Sequence, residues 1–154
     1  MSPIGGSYRK DIAAIAEGRQ NASVTVRSLD GAEATATVTL GPDPAVAVRV
    51  ACGDPLDPVV LRSYCVGAAH MALGWVCREG LAVDGTGEVH DLTIRSFGVL
   101  RAVDTPPITV EIAPAGPGAT PVNGSDAVFA AVAAAAWLAQ GCPQAWPTGL
   151  LPRA

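Results

Sequence analysis

The segment Asp57–Gly80 constrains the fold more than any other part of the sequence; it reads DPVVLRSYCVGAAHMALGWVCREG. Asp57 can cap a helix, and Pro58 suits the first helical position, where its missing N–H costs nothing. Gly80 supplies the left-handed residue that commonly follows a helix end. The segment therefore predicts a helix of about six turns. Because it is apolar on nearly every side, we expect it to be buried.

One face of this helix carries small residues around a histidine. Ser63, Gly67, His70 and Gly74 lie three or four positions apart, so they share that face. Small residues let a ligand or another backbone approach closely. We expect Ser63 and Gly67 to contact a ligand and His70 to act as an acid or a base. A buried histidine paired with a carbonyl group would explain His70 without a ligand.

Tyr64 and Cys65 precede His70 on the same helix. Tyr64 can donate a hydrogen bond to a ligand, and we take Tyr64 with His70 as the candidate catalytic pair. Tyr64 can equally be an aromatic side chain at the edge of the core, with its hydroxyl in water. Cys65 is a poor nucleophile candidate, because no base lies three or four positions on and an apolar helix raises the pKa of a thiol.

Composition excludes several classes of function. The chain has 154 residues, 49% of them hydrophobic and 16% charged, which indicates one globular domain rather than a disordered chain. A net charge of −4 argues against nucleic acid and anionic membranes as partners. The run 127–139 is too short to span a bilayer, and the N-terminus lacks a signal core. The four cysteines form no metal-binding pattern, so we expect free thiols, no metal site and a cytoplasmic location.

Alternating apolar and polar residues predict several strands, separated by turns such as Asp30-Gly31. We expect them at Ser23–Val26, Ala34–Leu40, Ala45–Ala51, Leu81–Val83, Glu88–Ile94 and Ile108–Ile112.

A second helix is predicted over Asp126–Gln140, closed by Gly141. Asn123 or Ser125 can cap its start, and the free amides there suit an anion. Asn123, Gly124, Ser125 and Asp126 are therefore our candidate substrate-binding residues. A capped helix start without a ligand explains the same residues.

These elements predict an α+β fold of two layers, in which two helices pack on one face of a mainly antiparallel mixed sheet. We expect residues 1–154 to form a single domain, with irregular ends at 1–20 and 141–154.

Four stretches resemble the C-terminal end of the large, molybdopterin-binding subunit of the xanthine dehydrogenase/aldehyde oxidase/carbon monoxide dehydrogenase family. That family reads G-Q-x-E-G-x-x-x-Q-G-L-G, Y-D-x-x-G, D-x-P-P-I-x-V and G-E-P-P, in this order. The corresponding stretches here are SYCVGAAHMALG (Ser63–Gly74), VDGTG (Val83–Gly87), DTPPITV (Asp104–Val110) and GATP (Gly118–Pro121). The resemblance implies that the chain is a single domain like the last molybdopterin-binding subdomain of that subunit.

The family's functional residues are changed in this chain. Tyr64 falls where the family has the glutamine that contacts the cofactor, and Val66 falls at its acidic neighbour. Ala119 falls at the catalytic glutamate, and a methyl group accepts no proton. The family's other cofactor segments and an iron–sulfur cysteine pattern are missing. The resemblance therefore implies that this chain alone binds no cofactor, and that it binds molybdopterin only if a partner shares it.

Two classes of function follow. The first is a stand-alone subdomain or accessory subunit of a molybdenum hydroxylase, which associates with a larger oxidoreductase subunit or with copies of itself. The second is a cofactor-independent small-molecule enzyme, such as an isomerase, cyclase or lyase. Its acid and base would be Tyr64 and His70, with charge stabilised at 123–126. A non-catalytic binding module is a third possibility.

Overall fold

A computed structural model describes residues 21–90 and 92–149. The predicted irregular segment 1–20 lies outside these residues, as does the end of the predicted irregular segment 141–154. The strands are β1 (Asn21–Arg27), β2 (Glu33–Thr39), β3 (Ala45–Ala51), β4 (Ala82–Val83), β5 (Val89–His90) and β6 (Ile108–Ile112). The helices are α1 (Pro58–Cys77), α2 (Ile94–Phe97) and α3 (Ser125–Ala139), with a 3₁₀ turn at Ala102–Asp104.

Four strands form one mixed sheet in the order β1-β2-β3-β6. The β1–β2 and β2–β3 pairs are antiparallel, whereas β6 runs parallel to β3. Strands β4 and β5 form a separate two-stranded hairpin. The predicted α+β class is confirmed, with α1 and α3 packed on each other and against the sheet.

Side-chain alternation decides which face of the sheet is covered. On β2, Ala34, Ala36 and Val38 are buried in the core cluster that α1 and α3 complete. The threonines between them face the other way, where the Thr25 and Thr35 hydroxyl oxygens lie 2.8 Å apart. A strand with one apolar and one polar face requires this arrangement, because only one face can be removed from water.

The predicted start of α1 is confirmed. Oδ1 of Asp57 accepts hydrogen bonds from the amides of Val59 (2.8 Å) and Val60 (3.1 Å), and Pro58 is the first helical residue. The predicted left-handed end at Gly80 is wrong. The helix ends at Cys77, because the amides of Arg78 and Glu79 both donate to the Gly74 carbonyl group. Gly80 instead packs against Pro147.

The expectation that α1 is buried all round is also wrong. One side, which includes Cys65, Leu73 and Val76, lies in the core. The opposite side faces solvent, with Tyr64 66% and Met71 57% exposed. The reason is that α3 and β6 cover only one side of the helix. Among the described helices, α1 is long and apolar enough to cross a membrane, but core helices of soluble proteins meet the same criterion.

Helix α3 follows its prediction to within one residue at each end, and Gly141 after it has a positive φ of 79°. The predicted strand Glu88–Ile94 is longer than the observed β5. It stops early because Thr93 and Ser96 form a reciprocal capping box, which starts α2 at Ile94.

Candidate functional site

The carboxyl ends of β3 and β6 define the candidate site. Because these two strands are parallel, their ends meet at the same edge of the sheet. The loop 52–57 leaves β3 there and leads into α1, and the loop 113–124 leaves β6 and leads into α3. In sheets with parallel strands, a crevice outside the carboxyl ends is a common place for a ligand.

Backbone hydrogen bonds tie the two loops together. The Asp54 amide donates to the Ala119 carbonyl oxygen (3.1 Å), and the Val122 amide donates to the Cys52 carbonyl oxygen (3.0 Å). Between them, Gly53 has a φ of 76°, and the Thr120 carbonyl group occupies the space that a Cβ would need. Ala119 is therefore held beside Asp54, which is exposed. Sequence reasoning did not single out Asp54, because only the fold brings it to this loop.

The four residues predicted at the start of α3 do lie together. Oδ1 of Asn123 accepts hydrogen bonds from the amide (3.1 Å) and the hydroxyl group (2.8 Å) of Ser125, and Nδ2 of Asn123 donates to Asp126 (3.3 Å). Gly124 is buried, and a Cβ there would lie 2.9 Å from Val50 Cγ2. The polar groups thus bind one another and Gly124 allows close packing; substrate binding by these residues stays a prediction.

The small-residue face of α1 contains two different environments. Ser63 is exposed, and a Cβ added at Gly67 would meet no atom within 4 Å. Gly74, in contrast, packs tightly against Glu79 and Leu100. His70 lies between them and is half-buried; its Nε2 is enclosed and has no hydrogen-bond partner among the described residues. The alternative in which a carbonyl group pairs with a buried His70 therefore does not hold for Nε2.

Tyr64 and His70 do not share a face of α1. They lie six positions apart in the helix, which places their side chains about 120° apart around the axis. Tyr64 is largely exposed on the solvent-facing side of the helix, whereas His70 is half-buried. A single ligand would have to reach around a third of the helix to contact both, so their joint catalytic role stays a prediction.

The cysteines are free thiols. Cys52, Cys65 and Cys77 are buried, and Cys142 is half-buried. Burial and the neighbouring Cys52 raise the pKa of Cys65 to about 11. Burial also raises the pKa values of Cys52 and Cys77. These thiols stay protonated at neutral pH, which agrees with the low rank of Cys65 as a nucleophile.

The β4–β5 hairpin places three side chains together that sequence reasoning did not combine. Nε2 of His90 lies 2.7 Å from Oδ2 of Asp84, and ligand atoms of Asp84, Glu88 and His90 all lie within 4.8 Å of one another. All three residues are exposed, and Oδ1 of Asp84 also accepts hydrogen bonds from Thr86 and the Glu88 amide. The pairing of Ala82 with His90 explains the cluster, because it brings His90 next to the turn that Asp84 begins.

A group of arginines at the far end of α1 was also missed. The Asp104 side chain has no exposed area, and it accepts hydrogen bonds from Arg78 (2.9 Å) and from two nitrogens of Arg101 (2.8 and 3.0 Å). Arg78 and Arg101 also line a groove with Arg95. No sequence motif marks this group, because the 3₁₀ turn that brings Arg101 next to Asp104 is seen only in the structure.

No family model and no curated protein matches this chain. Solved structures do. A Cu,Mo-CO dehydrogenase in its carbon monoxide reduced state aligns with a TM-score of 0.52 over 66% of this chain and 14% of that one, at 16% identity. Reconstituted CO dehydrogenase from Oligotropha carboxidovorans gives a TM-score of 0.58 over 71% of this chain and 15% of that one, at 15% identity. Quinoline 2-oxidoreductase from Pseudomonas putida 86 gives 0.52 over 71% and 16%, at 22% identity.

This chain therefore shares its fold with a segment of two kinds of oxidoreductase, one of them a molybdenum enzyme by its description. At these identities the likeness is one of fold, and the fold is of the kind that the four sequence stretches implied. The chain spans about one seventh of the length of these neighbours.

Proposed function

We propose that this chain is a subdomain or accessory subunit of a molybdenum-hydroxylase-like assembly, and that a larger partner chain completes it. The observation that carries the proposal is the fold, which in its structural neighbours is a small part of a much longer chain. A fold that forms part of a larger chain has surfaces that the rest of that chain covers. The same fold alone would leave such surfaces in water.

The exposed side of α1 is such a surface. We define the α1 apolar face as Val60, Tyr64, Met71 and Trp75, all of which are exposed. The Trp75 ring extends this face towards the C-terminal segment, since its centroid lies 4.9 Å from that of Trp146. Aromatic and methionine side chains are enriched at protein interfaces, and contiguous exposed apolar surface commonly marks one. We assign this face to the larger oxidoreductase chain; association with a second copy is the competing outcome.

At the positions that the resemblance assigns to molybdopterin, the described residues favour a site to which a partner chain contributes. The polar groups at the start of α3 bind one another, and Tyr64 belongs to the exposed α1 apolar face. At the position where the resemblance places the catalytic glutamate, Ala119 offers a methyl group. The cofactor therefore belongs to this proposal only as a group shared with the partner chain.

Native purification tests the proposal. The tagged chain, produced in its own source, should elute with a larger chain and with molybdenum, as measured by elemental analysis. Met71→Asp should elute alone while its circular dichroism stays unchanged, because a buried charge without a partner destabilises an interface. Val59→Asp is the matched control: it places the same charge at an exposed apolar position of α1, about 120° away. Wild-type chain that elutes alone and without molybdenum, or Met71→Asp that keeps the partner, would contradict the proposal.

One observation favours the second candidate function, a cofactor-independent enzyme. An enclosed polar atom without a partner is rare in proteins, and Nε2 of His70 is one in the described part of the chain. A ligand that reached this nitrogen would give it a partner, and Gly67 on the same face of α1 has open space beside it. Incubation of the metal-free chain with a small-molecule extract, followed by mass spectrometry, would reveal turnover. Full turnover by His70→Ala and Tyr64→Phe would rule this function out.

A further inference from the structure

The groove at the end of α1 is separate from the candidate site at the carboxyl ends of β3 and β6. It has a volume of about 730 Å³, within the range of small-molecule sites. Its described lining consists of Arg78, Ile94, Arg95, Ser96, Gly98, Val99 and Arg101. Three of these side chains are cationic and two are large and apolar, in a chain whose net charge is −4.

A buried carboxylate holds two of the arginines in place. The Asp104 side chain is 0% exposed, and its Oδ2 accepts from Arg78 Nη1 (2.9 Å) and Arg101 Nε (2.8 Å). Because both nitrogens lie close to the same oxygen, the two guanidinium groups are neighbours. A guanidinium group has five N–H donors, so each keeps donors beyond those used on Asp104. Two cations held by one anion leave an excess positive charge at this end of the groove.

Arg95 adds a third cation. Within residues 21–90 and 92–149, the Arg95 side chain has no hydrogen-bond or ion-pair partner. It belongs to α2, which backbone contacts fix against the end of α1: the Gly80 amide donates to the Phe97 carbonyl oxygen (3.0 Å). Three guanidinium groups and one carboxylate give these groups a formal charge of +2. A dianion matches this charge better than a monoanion.

Gly98 allows the residues after α2 to pack closely against Arg78 at the end of α1, and these two segments form opposite sides of the groove. Its φ is 81°, and a Cβ at this position would lie 2.6 Å from the Arg78 carbonyl oxygen. Only glycine combines this backbone conformation with this separation. The relative position of Arg78 and Arg95 therefore depends on Gly98, although Gly98 carries no charge.

We propose that this groove binds a phosphate monoester, whose dianionic phosphate contacts Arg95 and Arg101 and whose organic group packs on Ile94 and Val99. Guanidinium groups bind phosphate oxygens through paired, charge-assisted hydrogen bonds, and a phosphate monoester carries about −1.5 to −2 charges at neutral pH. Ile94 and Val99 are both exposed, so they are available to an organic group. This inference does not depend on the partner chain proposed above, since the groove lies within one chain.

NMR titration of the full-length chain at low salt tests the site, with phenyl phosphate, inorganic phosphate and benzoate as probes. Phenyl phosphate should shift the Gly98 and Val99 amide signals and bind more tightly than inorganic phosphate, which lacks the organic group. Benzoate, a monoanion with the same ring, should bind more weakly than phenyl phosphate. Benzoate binding as tight as phenyl phosphate, or no shift at Gly98 and Val99 with any probe, would overturn the proposal.

Variants separate this site from general attraction to positive charge. Arg95→Gln should weaken phenyl phosphate binding about threefold to fivefold, in line with an exposed ion pair. Arg49→Gln removes an exposed arginine on the open face of the sheet and should leave binding unchanged. Gly98→Ala should weaken binding without any change of charge. Equal losses for Arg95→Gln and Arg49→Gln, or full binding by Arg95→Gln, would contradict the assignment.

Discussion

The Asp54 amide donates a 3.1 Å hydrogen bond to the Ala119 carbonyl oxygen, and this contact joins the loop before α1 to the loop before α3. Because it is a backbone contact, the side chains at 54 and 119 can change while the loops stay together. That explains how a position where the resemblance places a catalytic glutamate can hold alanine in an intact fold. The same contact fixes the backbone of Asp54, which carries a carboxylate side chain, next to Ala119.

The same pair of loops gives the first prediction. Gly53→Ala should destabilise the chain through two effects: backbone strain at a positive φ, which costs about 1 kcal/mol or more, and overlap with the Thr120 carbonyl group, which costs a further 1–3 kcal/mol or so. Gly31→Ala is the control. Gly31 also has a positive φ, but a Cβ there meets no atom within 4 Å, so only the strain applies. Urea unfolding of both variants measures the difference, and equal losses would show that the loops do not meet at Gly53.

The second prediction concerns the buried carboxylate of Asp104. Asp104→Asn keeps the shape of the side chain but leaves Arg78, whose side chain is 13% exposed, without its counter-charge. Removal of one partner from a buried ion pair typically costs about 3–5 kcal/mol. Glu111→Gln breaks an exposed pair with Arg49, where the distance is 3.4 Å, and should cost less than about 1 kcal/mol. Chemical unfolding should therefore separate the two variants clearly; similar losses would contradict the burial of Asp104.

Sequence alone predicts the local elements of this fold better than the contacts between distant residues. Strand Ala45–Ala51 and the Asp57 cap are predictable, because alternation and capping are local properties of consecutive residues. The pairing of Arg78 with Asp104 joins positions 26 apart, and only the path of the chain through α2 brings them together. The exposed side of α1 was missed for a related reason. Composition shows that a helix is apolar, but not how much of it the neighbouring elements cover.

The third prediction concerns acid. The hydrogen bond from His90, followed by those from Thr86 and Glu88, holds the pKa of Asp84 well below its usual range. A depressed folded pKa means that the stabilisation is present above the unfolded value, about 3.9, and is lost as pH falls through the folded value. His90→Ala should raise the pKa of Asp84 towards its usual value, as followed by the carboxyl ¹³C shift. His70→Ala is the control and should leave that titration unchanged, and an unchanged titration in His90→Ala would contradict the contact.

The fourth prediction concerns alkaline pH and the thiols. With the pKa of Cys65 at about 11 in the folded chain, the unfolded chain loses this proton first, near pH 8.5. The unfolded state then binds fewer protons, so the free energy of unfolding should fall as pH rises from about 8.5 to 11, by up to about 1.4 kcal/mol per pH unit for one group. Cys65→Ala should flatten this dependence, and an unchanged slope in that variant would contradict the raised pKa.

Alkylation of the native chain provides an independent measurement for the same thiols. Cys142 should react with iodoacetamide before Cys52, Cys65 and Cys77, because the last three are buried and their pKa values are raised. Peptide mapping after short exposure would give the order. If Cys65 reacted as fast as Cys142, the thiol would be an accessible nucleophile, and the core that α1 forms with α3 would have to open in the native state.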